Sequence, residues 1–165
     1  MSRGRGGAGP TTQATLALDR AGVPYTRHTY QHDPAADGFG LEAARLLGLP
    51  PERVFKTLLV DTGGGLAVGI VPVDGRLDLK AIAGALGAKS ATMAAPAAAE
   101  RSTGYVVGGI SPVGQKRALP TVLDRSAEQF PTIFVSGGRR GFDVELAPLD
   151  LVRVTGAVTA PIGRP

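Results

Sequence analysis

His28 and His32 stand four residues apart, a spacing that on a helix presents both rings to one metal ion. Pro24, Tyr25, Thr26, Thr29 and Tyr30 argue instead for extended chain, where four residues span about 13 Å and the two rings cannot share an ion. Structural histidines are the leading reading, with a metal or a ligand contact as the alternatives. Lys56 lies between Phe55 and Thr57, ahead of Leu58, Leu59 and Val60. Its ammonium either snorkels at a strand end or points into a cavity. Four lysines (Lys56, Lys80, Lys89, Lys116) accompany fourteen arginines, so a lysine at this inward-looking place is informative. A compact ammonium meets a carbonyl or phosphate oxygen where a guanidinium does not fit.

Two glycine-rich segments complete the inventory. The run from Arg101 to Pro112 sets Gly108 and Gly109 directly after Tyr105, Val106 and Val107. Paired glycines let backbone N–H groups approach an anion or a developing oxyanion, and they also make ordinary turns. The spacing is neither that of a Walker loop nor that of the dinucleotide fingerprint. Ser136 to Asp143 brings together a hydroxyl, flexible backbone, Arg139 and Arg140, and a carboxylate. That set suits a ribose and a phosphate, or else a hairpin with solvated arginines. There is no G-x-S-x-G elbow and no histidine near a candidate serine, so a hydrolase triad has little support. The absence of cysteine removes disulfides, thiolate zinc sites and any enzyme-borne thiol nucleophile.

The elements that would position these residues follow from local signals. Thr12 caps a helix through about Ala21, stopped by Gly22, and Asp78 caps another over Leu79–Leu86, stopped by Gly87. Shorter helices are expected over Leu41–Leu47, from Pro96 to Arg101 and from Pro148 to about Val152. Strands are expected at Val23–Tyr30, Val54–Val60, Leu66–Val71, Thr121–Leu123, Thr132–Ser136 and Asp143–Leu146. A polar loop is expected around Asp33, Pro34 and Asp37, and a turn at Gly63–Gly65. Strands outnumber helices and often follow one another, which fits a mixed, largely antiparallel sheet closed or covered by helices.

Composition bounds the rest. The chain has 165 residues, against roughly 100–200 for a typical domain, which predicts one domain. Hydrophobic residues at 43% and charged residues at 19% give enough apolar side chain to exclude global disorder. The net charge of +4 is lowered further without Arg3 and Arg5 in the Gly-rich start, Met1 to Pro10, which reads as a disordered tail. DNA coating is therefore a poor fit, while a local basic rim around Arg139 and Arg140 is retained. No apolar run approaches the roughly 18 residues of a membrane span, and no apolar h-region follows the first arginines. An intracellular home fits best.

Taken together, the chain resembles the YbaK-type cysteinyl-tRNA(Pro) deacylases, relatives of the editing domain of bacterial prolyl-tRNA synthetases. The resemblance rests on His28-Thr-Tyr-Gln-His32-Asp-Pro34 with Phe39-Gly40, on Val54-Phe-Lys-Thr-Leu-Leu-Val60, on Arg101-Ser-Thr-Gly-Tyr-Val-Val-Gly-Gly-Ile-Ser-Pro112 with Gly114-Gln-Lys116, and on Ser136-Gly-Gly-Arg-Arg-Gly-Phe-Asp-Val-Glu-Leu146. It covers Thr12 to Val158. The Gly63–Gly65 hairpin is short for the family, and Arg139 stands where lysine is expected.

The resemblance implies a single mixed α/β domain over residues 11–160, with a mostly antiparallel, barrel-like sheet flanked by helices, an N-terminal tail over 1–10 and a C-terminal tail over 161–165. It implies a cytoplasmic hydrolase or lyase acting on the aminoacylated 3′ end of tRNA, with prolyl-tRNA synthetase as a partner and with no metal, cofactor, DNA or membrane. Lys56 and Gly108 are the implied catalytic residues, the lysine as an orienting cation and the glycine N–H as oxyanion donor. Tyr30, Phe39, Gly109, Ile110, Ser136 and Asp143 are the implied substrate-binding residues. The substrate's own thiol is the implied nucleophile. Deacylation of alanyl- or seryl-tRNA, and a non-catalytic module binding tRNA or a synthetase, are the alternatives.

Overall fold

Capping residues set the helices. In the computed structural model, which describes residues 9–35 and 38–165, helix α1 (Gln13–Ala21) begins where the Thr12 hydroxyl accepts the Thr15 N–H at 3.1 Å and ends at left-handed Gly22. Helix α3 (Leu79–Leu86) starts where Asp78 accepts the Ala81 N–H at 3.0 Å. Helix α2 (Phe39–Leu47) begins two residues before its apolar pattern does, which brings Phe39 and Gly40 into its first turn. Helices α4 (Pro96–Thr103) and α5 (Pro148–Thr155) both open on proline, whose missing N–H is no loss at that position.

The strands are β1 (Thr26–Thr29), β2 (Phe55–Asp61), β3 (Leu66–Pro72), β4 (Arg76–Leu77), β5 (Thr92–Met93), β6 (Thr121–Asp124), β7 (Ile133–Arg139), β8 (Phe142–Leu146), β9 (Val158–Ala160) and β10 (Gly163–Arg164). They form a five-stranded ladder in the order β5-β2-β3-β6-β9, a three-stranded ladder β1-β8-β7 and a β10-β4 pair. The β3–β6 and β6–β9 pairings are parallel and the others antiparallel. The fold is thus mixed α/β and mostly antiparallel, as expected. None of the three ladders closes on itself, so a continuous barrel is not what holds the strands; a bridge between Val54 and Phe134 links the two larger ladders instead.

The space between those ladders holds the largest core, with Phe55, Leu59, Val135, Phe142 and Val144 among its buried members. A second core around Val60, Val71, Ile82 and Val122 also takes in Ile162. Here the expected C-terminal tail is corrected. Ile162 is fully buried, its N–H and that of Gly163 donate to Asp124 Oδ1 at 2.9 and 2.7 Å, and its carbonyl accepts the Asp78 N–H at 2.7 Å. A buried and a part-buried N–H that meet one carboxylate, together with a fully buried isoleucine, give Ile162 and Gly163 the anchorage of a core element. At the other end, Pro10 accepts a hydrogen bond from Arg27 at 2.6 Å. Residues 1–8, with Arg3 and Arg5, and Asp37 in the expected polar loop lie outside the described residues.

Candidate active site

Alternation along β2 buries Phe55, Thr57 and Leu59 and leaves Lys56 and Leu58 half-buried. This strand forms the floor of a cavity of about 380 Å³. Its walls are the first turn of α2, the β5–α4 junction, the loop after α4 and the β7–β8 hairpin. Seven of the residues singled out above meet there: Tyr30, Phe39, Lys56, Gly108, Ile110, Ser136 and Asp143. The sequence separates these positions by more than a hundred residues; the hairpin register, which sets Ser136 opposite Asp143, and the β1–β8 pairing bring them together.

Gly109 is the exception. It does not line the cavity; its N–H donates to the Val106 carbonyl at 2.8 Å, and a Cβ there would lie 2.7 Å from the Arg139 Cα. Gly109 is glycine so that the hairpin backbone can approach it closely, which is a packing role. Gly108 keeps its implied place. Its φ of +93° is one that side chains rarely adopt, and its N–H has no hydrogen-bond partner among the described residues.

Two ionisable groups face the cavity without a protein partner. Asp143 is 5% exposed, and burial pushes its carboxyl up to about 7. Lys56 is half-buried, and burial lowers its ammonium from the ordinary value, with Asp74 opposing that shift. No hydrogen bond or ion pair engages either side chain among the described residues. Tyr30 is pushed up to about 12 by burial first and by the Asp143 charge second. Groups shifted by desolvation and gathered in one cleft are the physical signature of a functional site. Ser136 has a shaping role, since its hydroxyl accepts the Gly138 N–H at 3.1 Å.

The histidines are structural partners of separate carboxylates. His28 Nε2 lies 2.9 Å from Glu145 Oε1, and His32 Nδ1 lies 2.7 Å from Glu42 Oε1. Burial alone would raise the Glu42 carboxyl, but the Asp33 N–H and His32 hold it below the ordinary value. Among the described residues, no three His, Asp or Glu side chains gather as a metal site.

Two residues near the chemistry have contacts that the sequence does not assign to them. Thr57 lines the cavity at 9% exposure, with its hydroxyl oxygen unpartnered among the described residues. Arg140, expected on a basic rim, donates to the Val107 carbonyl and lies over the Phe39 ring.

The family model for the aminoacyl-tRNA editing domain matches residues 34–154. The chain belongs to this family, and the YbaK-type character carried by its motifs stands. A curated relative from Enterococcus faecalis (strain ATCC 700802 / V583), named "Putative Cys-tRNA(Pro)/Cys-tRNA(Cys) deacylase EbsC", is 37% identical over 153 residues, 92% of each chain. A solved structure described as "a putative trans-editing enzyme for prolyl tRNA synthetase" is 25% identical at a TM-score of 0.80, over 95% of this chain and 100% of that one. Another, of a hypothetical protein, is 27% identical at a TM-score of 0.83, over 93% and 100%.

Proposed function

We propose that this protein is a trans-editing deacylase that cleaves the ester joining a mischarged cysteine to the terminal adenosine of tRNA(Pro). The observation that carries the reading is the convergence, in one cavity, of the Lys56 and Asp143 side chains and the Gly108 N–H, all three without a hydrogen bond or ion pair among the described residues. The family and the EbsC likeness support the substrate class. Gly108 donates to the oxyanion, a contribution typically worth about 10²–10³ in rate. Lys56 orients the ester or the adjacent phosphate as a point charge. Asp143, Ser136, Tyr30 and Phe39 hold the aminoacyl group.

Among the described residues no serine of the cavity is joined to a base, and, in line with the family resemblance, the substrate's own thiol is assigned as the nucleophile. The thiol gives up a proton and attacks the ester carbonyl; the sulfur–carbon bond forms, the carbon–oxygen bond to the ribose breaks, and the ribose oxygen takes up the proton. The resulting small thiolactone is opened by water. Holding the thiol against the carbonyl exploits the large advantage of intramolecular attack.

The enzyme works in the cytoplasm, and docking on prolyl-tRNA synthetase supplies its tRNA selectivity. No helix among the described residues is long and apolar enough to cross a membrane. The test is single-turnover deacylation of tRNA(Pro) carrying cysteine, alanine or proline. Preferred cleavage of the cysteinyl ester is expected; preference for the alanyl ester, or no cleavage of any of them, overturns the assignment.

A further inference from the structure

We infer that Arg140 is a positioning residue for the oxyanion donor: it fixes and polarises the peptide group that joins Val107 to Gly108. The inference rests on the deacylase reading above for its catalytic consequence, and on geometry for the rest.

An arginine at the exposed turn of a hairpin is normally solvated. Here the guanidinium donates twice to one oxygen, the Val107 carbonyl, from Nε at 3.2 Å and Nη2 at 2.6 Å. It also lies 4.6 Å from the centroid of the Phe39 ring, within the range of a cation–π contact. Phe39 in turn packs 5.5 Å from the His32 ring, whose Nδ1 meets Glu42. The arginine is thus held by an aromatic group that helix α2 and its entry loop keep in place.

The carbonyl of Val107 and the N–H of Gly108 belong to the same peptide unit. In a trans peptide these two groups point in opposite directions. Val107 and Gly108 line the cavity whereas Arg140 does not, so fixing the oxygen from the Arg140 side turns the Gly108 N–H toward the ligand. The neighbouring donors are already used. The Val107 N–H goes to Glu100 Oε2 at 2.9 Å and the Gly109 N–H to the Val106 carbonyl at 2.8 Å. Of three successive N–H groups, the middle one is left free among the described residues.

Hydrogen bonds from a cation are stronger than neutral ones, and a peptide whose oxygen accepts them becomes a better donor at its nitrogen, by about 10–30% per bond. The same stack explains why position 108 carries no side chain. A Cβ there would lie 2.5 Å from Arg140 Nε and 3.0 Å from the Phe39 ring. Lysine has neither two parallel donors nor a plane to stack, so it cannot take over this role.

The test uses the full chain with Arg140→Ala and Arg140→Lys, cysteinyl-tRNA(Pro) under single-turnover conditions with enzyme in excess, and the Gly108 amide resonance of ¹⁵N-labelled protein. Both variants are expected to lower the saturating rate about tenfold, without rescue by lysine, while the apparent Kd changes less than threefold. In both, the Gly108 amide proton is expected to move upfield as its polarisation is lost. A saturating rate left unchanged, with a Kd weakened in Arg140→Ala and restored in Arg140→Lys, makes the arginine a phosphate contact and overturns the inference, as does an unmoved Gly108 resonance. If the native protein itself cleaves no aminoacyl ester, the deacylase reading fails, and the resonance alone decides whether Arg140 polarises this peptide.

Discussion

Replacing Asp143 by asparagine should change how stability depends on pH. In the native protein burial holds the Asp143 carboxyl at about 7, against an ordinary 3.8. Between these values the native state keeps a proton that the unfolded chain has lost. Stability conferred on the native state therefore falls as pH rises through this window, and the full penalty persists above it. At about 1.4 kcal/mol per pH unit, the interval amounts to about 4 kcal/mol. Asparagine cannot ionise, so the variant escapes the penalty. The assay is urea unfolding of both proteins in steps from pH 4 to pH 8. The stability of Asp143→Asn relative to the native chain is expected to climb by several kcal/mol from pH 4 to about pH 7 and then level off. Glu42 and Glu145, both held below their ordinary values mainly by hydrogen bonds that outweigh burial, lose stabilisation as pH falls. They are present in both proteins, so their slopes cancel in the difference. Any offset from the amide's own packing is independent of pH and drops out as well. Parallel stability curves for the two proteins would show that burial does not raise the Asp143 carboxyl.

Lys56→Ala is expected to lower single-turnover deacylation at least about tenfold, or 1.4 kcal/mol of transition-state stabilisation, with little change in Tm. Lys56→Arg should rescue it poorly, and near-native turnover in the alanine variant would return the lysine to a solvated role. Ile162→Ala, at a position the sequence assigns to a tail, should destabilise by about 2–5 kcal/mol in urea unfolding; a loss below about 1 kcal/mol would show that the C-terminal segment is not part of the core. Thr57→Val removes an unpartnered buried hydroxyl at nearly constant shape, so stability should hold or rise by about 1 kcal/mol. A marked loss in thermal unfolding would mean that the hydroxyl has a partner.

Much of the fold is legible locally. Thr12, Gly22, Asp78 and Gly87 delimit two helices because capping is decided within a turn of chain. Strand β3 announces itself by an apolar run seven residues long, and β2 by Leu58, Leu59 and Val60 following Phe55. Strands β4, β5, β9 and β10 have two or three residues each, too few for a period, and exist because a distant partner offers backbone groups. Ile162, between Pro161 and Gly163, reads as tail for the same reason; the Asp124 carboxylate, 38 residues away, the Asp78 N–H and the second core gather it in.

The candidate site divides along the same line. Seven of its lining residues are carried by the motifs, and Lys56 and Gly108 among them by a local signal as well. A glycine pair does not say which N–H is free, and Gly109 was assigned to the cavity although its donor is spent on Val106. Thr57 gave no sign, being one more β-branched residue in a buried strand. Arg140 reads either as part of a basic rim suited to a ribose and a phosphate or as a solvated hairpin arginine; its stacking on Phe39, a hundred residues earlier in the chain, has no local signal.

In the proposed reaction the cavity lets the substrate's thiol cleave its own ester. Its most direct test compares single-turnover rates on tRNA(Pro) carrying cysteine or serine, two side chains of nearly the same shape that differ in nucleophilicity, with rapid acid quench and mass spectrometry of the enzyme. Cysteinyl ester cleaved far faster than seryl ester, with no covalent aminoacyl-enzyme at any time, is the predicted result. Equal rates on the two esters, or a trapped cysteinyl-enzyme, would contradict it.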